Sequence, residues 1–310
     1  MSKSSRRRAR AKVRKQTPRR GVAVKDAATP VATKTQPRSR PVSKAERVEP
    51  AGPGPADAVH AVVWRSGLLN VAAIARRELG ALFVSPIGWV VAAVFTFLVS
   101  GFGFIGTVLT GQQATMEGVS NIITGLLSLI LIPVLTMRSI AEERSQGTLE
   151  LLLTSPVRDW ELAVGKWLGA FAFYVLLLAT TLAYVVLLAI YVPDKSSLDL
   201  GLIAATYIGM LLVGAASVAI GVLASALTRN QIIAYVVTLF GLLATWYTAF
   251  LIGFFTTPPL SLFFDYVAGY YRYQPFSLGQ VTLRDTVYFA SLAVGALFLT
   301  TRLLESRRWR

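Results

Sequence analysis

The sequence predicts an all-α integral membrane protein with six transmembrane helices, an amphipathic helix before the first of them, and a disordered basic N-terminal tail. Of its 310 residues, 54% are hydrophobic, which is too many for an ordinary soluble domain. Six apolar segments each approach or exceed the roughly 20 residues that cross a bilayer as a helix. The net charge of +15 is concentrated at the N-terminus, as expected for a tail outside the hydrocarbon.

The N-terminal tail, residues 1–65, contains 17 Lys and Arg, four Asp and Glu, and few large apolar residues. Such a segment cannot bury enough surface to fold alone, so we expect it to be disordered. Its charge favours a cytoplasmic tail that keeps the N-terminus inside, and binding to anionic lipid headgroups is the alternative interpretation. No aromatic residues are interleaved for stacking on bases, so no nucleic-acid partner is expected.

The segment Asn70–Val84 is predicted to form an amphipathic helix in the plane of the cytoplasmic membrane interface. Its charged residues Arg76, Arg77 and Glu78 are predicted to cluster away from the apolar stripe. Ser85-Pro86 is predicted to end this helix and begin the first span.

The six predicted spans cover about residues 87–109, 119–136, 168–191, 200–227, 232–255 and 286–304. Pro133 is expected to kink the second span. Small residues recur every four positions in the fourth span, which predicts close packing against neighbouring helices. They are Gly201, Ala205 and Gly209, and then Ser217, Gly221 and Ser225.

The distribution of Lys and Arg predicts the orientation in the membrane. With both termini cytoplasmic, the inner segments hold 28 Lys and Arg and the outer segments hold three. Without residues 1–65 the counts are 11 and three, so the tail does not decide the result. We therefore expect a multi-pass protein with both termini inside.

The segment Met137–Lys166 is the long charged interruption between the apolar spans, so it must lie in water or on a partner. Gly147 is predicted to break it before a short helix at Thr148–Leu153. Ser155-Pro156 is predicted to begin the following helix as its cap and first position. The alternative interpretation is a solvated loop whose charges only enforce topology.

The run A-E-E-R-x-x-G-T-x-E-L-L-L-T-S-P, followed by G-K, resembles the cytoplasmic signature of ABC-2 type permeases. The resemblance extends over about Ala72–Trp309 and is closest to the gliding-motility and nitrous-oxide-reductase-maturation branch. It implies a type V exporter-like fold in a bacterial or archaeal plasma membrane, with an elbow helix and a short coupling helix that rests on a separate ATPase subunit. The coupling residues that it implies are Glu142, Glu143, Arg144, Gly147, Thr148, Glu150, Leu151 and Pro156.

Several catalytic patterns are missing from the sequence. Gly165-Lys166 is followed by Trp167 and is not part of a phosphate-binding loop. No Cys is present, and the single His60 cannot build the usual zinc site. We therefore expect no enzymatic activity and no cofactor or metal in this chain, with ATP and Mg²⁺ bound by the partner ATPase. A membrane-embedded enzyme is the disfavoured alternative.

Two mildly polar stripes lie in the second and fifth spans. The stripe in the fifth span begins at Gln231 and continues with Tyr235, Thr238 and Thr245. One interpretation is that the hydroxyl groups bond to their own helices and contribute to packing. The other is that the stripes line a cargo pathway at the interface with a second permease copy, which suits an amphipathic or lipid-linked cargo. The candidate pathway residues are Asn121, Thr124, Ser128, Tyr235, Thr238 and Thr245.

The outer segment Thr256–Asp285 is long and rich in aromatic residues. It is interpreted as an aromatic belt at the outer interface or as an outer gate. The expected partners are an ATPase subunit, a second permease copy, membrane lipids and an extracytoplasmic accessory protein. The leading functional hypothesis is an exporter permease, and the alternative is a non-transporting scaffold for a surface or motility complex.

Overall fold

The computed structural model describes residues 55–106, 117–148, 157–191, 199–248 and 266–308, together with isolated positions between 252 and 264. Throughout these residues the regular secondary structure is helical, and the order of the helices follows the order of the predicted spans. The predictions for residues 1–54, and for Glu150, Leu151 and Ser155-Pro156, fall outside the described residues.

The first helix, α1 (Pro55–Val84), contains the predicted amphipathic segment but begins earlier than expected. The sequence analysis included residues 55–65 in the predicted tail, whereas the structure has a helix there. The proline at the first position and the following run of alanine and valine residues suit a helix start. Ser85 then caps α2 (Pro86–Leu98), accepting a hydrogen bond from the Ile87 amide at 3.3 Å.

The first two spans both contain a π-helical turn. Helix α2 continues through the π-helical segment Val99–Ile105. The second span consists of α3 (Glu117–Asn121), a π-helical turn at Ile122–Leu127, and α4 (Ser128–Thr136). The bend in this span, 47°, lies between Leu126 and Ser128 and not at Pro133, which is inside α4.

The predicted kink at Pro133 is therefore misplaced. The Ser128 hydroxyl group donates to the backbone carbonyls of Thr124 and Gly125, one turn earlier in the chain. Both this type of back-bonding and a π-helical turn bend helices.

After the loop between α4 and the third span, which includes α5 (Ala141–Ser145), the third span begins at Asp159. Val157 and Arg158 are not helical, so this helix begins after the Ser155-Pro156 pair and not at it. The Glu161 carboxylate accepts a hydrogen bond from the Arg158 amide at 3.2 Å, as in the capping box of a helix N-terminus. The span comprises α6 (Asp159–Thr180) and α7 (Leu182–Tyr191).

The fourth span, α8 (Leu200–Leu227), matches its predicted bounds and lies at the centre of the bundle. A Cβ atom added at Gly214 would lie 2.1 Å from the ring of Tyr174, and one at Gly221 would lie 2.2 Å from the Thr136 hydroxyl oxygen. The small residues therefore permit the close packing that the sequence predicted.

The remaining helices are α9 (Gln231–Leu243, followed by a π-helical turn at Ala244–Thr248), α10 (Gly269–Ser277) and α11 (Leu283–Arg308). Helix α10 packs on the Leu200 end of α8, where a Cβ at Gly209 would lie 2.6 Å from Phe276. The buried Arg272 of α10 forms an ion pair with Asp285 of α11 at 3.1 Å.

The described helices include four that are long and apolar enough to cross a membrane, or five if the bent second span is counted as one. The four are Pro86–Ile105, Asp159–Ile190, Leu200–Leu227 and Leu283–Arg307. The fifth predicted span appears as a shorter apolar helix, Gln231–Tyr247. The all-helical membrane architecture is confirmed, and the total of six spans stays a prediction.

Candidate functional site

The charged loop between α4 and α6 is anchored to the end of α8. The Ser225 hydroxyl oxygen accepts hydrogen bonds from the amides of Ile140 and Ala141, both at 3.0 Å, and donates to the Met137 carbonyl at 3.2 Å. The Arg144 guanidinium donates to the carbonyls of Ala226 and Thr228 at 3.3 and 3.1 Å. The Arg144 bonds pair the Ala226 carbonyl in the last turn of α8 and the Thr228 carbonyl just after it, and together these contacts fix the loop on the most buried of the candidate spans.

Lys166 of α6 joins the same loop to α1. Its ammonium group, 1% exposed, donates to the carboxylates of Glu78 and Glu143 at 2.6 and 2.9 Å, and to the Ser139 carbonyl at 2.6 Å. All three donors of the ammonium thus have an acceptor. Arg77 lies farther from the Glu143 carboxylate, at 3.9 Å. One buried cation therefore connects three segments that are far apart in sequence.

Two glycines of α6 permit this arrangement. A Cβ at Gly165 would lie 2.7 Å from the Ile74 side chain, and one at Gly169 would lie 2.5 Å from the Cβ of Glu78. Helix α1 consequently lies close against α6, and Asn70 donates to the Glu161 carboxylate at 3.0 Å.

Glu143 is the most constrained acid of the loop. One of its carboxylate oxygens, Oε2, is buried and has no hydrogen-bond partner among the described residues. Burial raises the pKa of Glu143 above its ordinary value, and the attraction of Lys166 opposes this effect without cancelling it.

A cavity of about 350 Å³ opens beside Glu143, between α1 and the charged loop. Arg138 lies in its wall and donates to both oxygens of Glu142 at 2.9 and 3.1 Å, and to the Ser85 hydroxyl at 3.1 Å. The other lining residues include Arg77 and Glu78, the apolar Ala81, Leu82 and Leu135, and Gln146 and Thr148 of the loop.

The predicted coupling residues fall into three groups. Glu143 and Arg144 point into the bundle and hold the loop in place, whereas Glu142 is partly exposed and paired with Arg138. Gly147 adopts a positive φ of 72°, which glycine tolerates best, and the Thr148 hydroxyl donates to the Glu143 carbonyl at 3.2 Å. Glu150, Leu151 and Pro156 lie outside the described residues.

The sequence analysis did not place Lys166, Glu78, Arg138 or Ser225 in this site. Glu78 was predicted to lie off the apolar stripe of its helix, and that prediction is wrong. It follows Ile74 by four residues and precedes Leu82 by four, so it shares their face. A charged residue at an i, i+4 position between two apolar ones indicates a buried partner, and Lys166 supplies it.

The polar stripes are placed mainly inside the chain. Thr124 and Ser128 are each 2% exposed and Thr238 is fully buried, whereas Asn121 is exposed and Tyr235 is half-buried. The hydroxyl groups of Thr124, Thr238 and Thr245 donate to the carbonyl four residues earlier at 2.6 to 2.8 Å. This is the arrangement that the packing interpretation expects, and the lining role stays a prediction.

Taken together, the described residues form a helical membrane protein with a charged loop that is fixed to the central helix at one end of the bundle. The sequence model of the ABC-2 family transporter proteins matches residues 105–301, which is more than half of the chain. The chain therefore belongs to the ABC-2 transporter family.

Two curated relatives are similar to part of the chain. They are the probable multidrug ABC transporter permease YbhR of Escherichia coli K12 and its counterpart in Escherichia coli O157:H7. Each is 32% identical over 106 residues, which cover 34% of this chain. The matched part spans only 27% of the length of these relatives.

Proposed function

We propose that this chain is the membrane permease subunit of an ATP-driven exporter, with a separate ATPase subunit that binds the charged loop. Membership of a transporter permease family supports the first part of this proposal. In this proposal both termini are cytoplasmic, α1 lies in the membrane interface, and a second permease copy completes the transporter. ATP and Mg²⁺ are bound by the ATPase.

The anchoring of the charged loop is the observation that carries the proposal. A force on a mobile loop would move the loop without moving the helices. This loop, in contrast, is bonded to α8 through Ser225 and Arg144 and to α6 through Lys166. A displacement of the loop by an ATPase would therefore move the central helix and the third span together.

The export of an amphipathic or lipid-linked cargo, with an extracytoplasmic accessory protein, is the finer part of the proposal. The relative YbhR is named as a probable multidrug ABC transporter permease. Apolar and hydroxyl-bearing helices with no charge near the middle of a span suit such a cargo better than a bare ion.

The test is ATP hydrolysis by the purified complex of this chain with the ATPase that co-purifies from native membranes. Arg144→Gln removes the guanidinium that binds the Ala226 and Thr228 carbonyls, and Arg302→Gln is the control because its ion pair with Glu305 is exposed. We expect Arg144→Gln to bind the ATPase but to lose at least half of the stimulation of hydrolysis that the unchanged chain gives. Equal stimulation by both variants would contradict coupling through this loop.

The second candidate function is a membrane scaffold that moves nothing. It is favoured if the chain co-purifies with surface-structure proteins and without any ATPase. The same purification therefore separates the two candidates.

A further inference from the structure

Four of the described spans contain a break in their α-helical hydrogen bonding. The first and second spans contain the π-helical segments Val99–Ile105 and Ile122–Leu127, and the fifth contains the π-helical turn Ala244–Thr248. In the third span, Thr181 separates α6 from α7, and its amide donates to the carbonyl three residues earlier at 3.1 Å. Helices α8 and α11, in contrast, run for 28 and 26 residues without interruption.

All four breaks lie in the half of the span that is farther from the charged loop. The second span ends at this loop, and the third begins after it. The first span begins at Ser85, whose hydroxyl accepts a hydrogen bond from Arg138 of the loop at 3.1 Å. The fifth begins just after Thr228, whose carbonyl is bonded to Arg144 of the loop. Each break is near the opposite end of its span, so the four share one side of the bundle.

Each break weakens the helix at one point. The Gly106 amide is bonded to the Gly101 carbonyl, and the Ser128 amide to the Ile123 carbonyl, five residues earlier in both cases. Turns of this kind bend helices and recur at functional sites. A span therefore bends at such a point more easily than an uninterrupted α-helix does, in the way that a few residues act as a hinge.

The breaks of the third and first spans are in direct contact. The hydroxyl groups of Tyr184, three residues after Thr181, and Ser100 are hydrogen-bonded at 2.6 Å. The Tyr184 ring also stacks on the Phe104 ring, with 5.0 Å between their centres. A bend in one of these two spans therefore moves the other.

The contacts continue from the first span to the second and the fifth. A Cβ added at Gly103 would lie 3.1 Å from the Cα of Val119, which precedes the π-helical segment of the second span. A Cβ at Gly125, within that segment, would lie 3.4 Å from the hydroxyl of Tyr247 in the fifth span. The four breaks thus form one continuous band.

We propose that this band is a hinge belt, made of Val99–Ile105, Ile122–Leu127, Thr181 and Ala244–Thr248. The parts of the four spans beyond the belt tilt together, whereas α8 and α11 stay straight. The hydrogen bond between Ser100 and Tyr184 makes the first and third spans move as one. The anchors of the charged loop lie on the other side of the belt and keep their places. The movement belongs to the chain itself and needs no ATPase, and in an exporter it would open the side opposite the charged loop.

The test measures distance distributions in the full chain by pulsed electron spin resonance. Because the chain has no native Cys, exposed residues are replaced in pairs by Cys and spin-labelled, and the protein is placed in lipid nanodiscs. Val186→Cys with Val287→Cys reports on the third span beyond the belt relative to α11. Leu176→Cys with Val294→Cys reports on the same span before the belt. We expect the first distribution to be about twofold wider than the second, because only the first pair spans the hinge.

A third pair tests whether neighbouring spans move together. Ile105→Cys with Val186→Cys connects the far ends of the first and third spans, and its distribution should be as narrow as that of the pair before the belt. Tyr184→Phe keeps the ring but loses the hydroxyl, so it should widen this distribution about twofold. Thr300→Ala is the matched control, because the buried Thr300 hydroxyl donates to the Ala296 carbonyl of its own uninterrupted helix. It should change none of the distributions.

Three results would each overturn the proposal. Equal widths for the first two pairs would show that the third span is rigid or moves as a whole. A distribution for the third pair as wide as that of the first pair would show that the breaks bend independently. An unchanged third distribution in Tyr184→Phe would show that the hydrogen bond does not connect the two spans. All measurements are made without ATPase or ATP, so failure here leaves the proposed function to its own test.

Discussion

At the scale of single residues, Lys166 contributes more to holding the helices together than the motifs of the charged segment indicate. Its side chain is 1% exposed, and it forms ion pairs with two carboxylates from different parts of the chain. Removing one partner of a buried ion pair is far more costly than removing an exposed one, because the remaining charges stay buried.

We predict that Lys166→Met lowers the free energy of unfolding by about 3–5 kcal/mol, since Glu78 and Glu143 lose their shared cation. Arg302→Gln should cost at most about 1 kcal/mol, because its pair with Glu305 is exposed. Thermal unfolding of the purified proteins in one detergent measures both changes. Equal losses would show that the Lys166 cluster does not stabilise the fold.

The pH dependence of the same variant gives a second prediction. Burial raises the pKa of Glu143, and the loss of Lys166 removes the attraction that opposes this shift. The charges that face Glu143 in the variant are then Glu78, Arg77 and those of the nearby Arg138–Glu142 pair.

A carboxyl group whose pKa is raised in the folded protein destabilises the fold when the pH is above that raised pKa. When the pH is below the pKa of the same group in the unfolded chain, this destabilisation is absent. The amount by which Lys166→Met is less stable than the unchanged chain should therefore shrink as the pH falls through the raised pKa of Glu143. Unfolding temperatures of both proteins across a mildly acidic to neutral series measure the difference. A deficit that grows on acidification would contradict this account.

Some residues of the site could be predicted from the sequence, and others could not, for a physical reason. The acids of the loop were visible because charge between apolar spans is unusual. Lys166 was visible as a residue, but its partner Glu78 lies 88 positions earlier on another helix. Periodicity describes one helix at a time, so it cannot pair residues on two helices.

At the scale of elements, helices are predicted better than the breaks within them. Helix α8 matches its predicted bounds because an uninterrupted apolar run ends in polar residues on both sides, with Asp199 as the N-terminal cap. The bend of the second span was misplaced because Pro133 is an obvious signal, whereas the π-helical turn and the back-bonding of Ser128 have no distinctive sequence pattern.

We predict that Gly214→Ala destabilises the bundle by about 1–3 kcal/mol, since the new Cβ would lie 2.1 Å from the Tyr174 ring and force α6 and α8 apart. Gly295→Ala in α11 is the matched control, because no atom lies within 4 Å of its added Cβ. Thermal unfolding of both variants measures the effect. A similar change in the two would show that close approach to α8 is not required.

At the scale of the whole molecule, polar anchors lie at the two ends of α8. Ser225 holds the charged loop at one end, and at the other the Thr206 hydroxyl donates to the Phe276 carbonyl of α10 at 3.3 Å. Near that end, Arg272 pairs with Asp285 and stacks 4.0 Å from the centre of the Tyr266 ring. The two ends of the central helix are thus fixed to segments that the predicted topology places on opposite sides of the membrane.

The orientation of these two ends can be tested directly, because the chain has no native Cys. Gln146 in the charged loop and Gln280 between α10 and α11 are both exposed, so a cysteine at either position is accessible to solvent. Because the excess of Lys and Arg lies on the side of the loop, that side is expected to be cytoplasmic.

We predict that Gln280→Cys reacts with a membrane-impermeant maleimide in intact cells, whereas Gln146→Cys reacts only after the membrane is opened. Opened cells are the control that both cysteines are reactive, and the unchanged chain gives the background. Labelling of Gln146→Cys in intact cells would place the charged loop outside, where no ATP is available to an ATPase. It would thereby contradict both the topology and the coupling proposed for that loop. Absence of Gln280→Cys labelling in intact cells, with full reaction after opening, would put both ends on one side and exclude an odd number of spans between them.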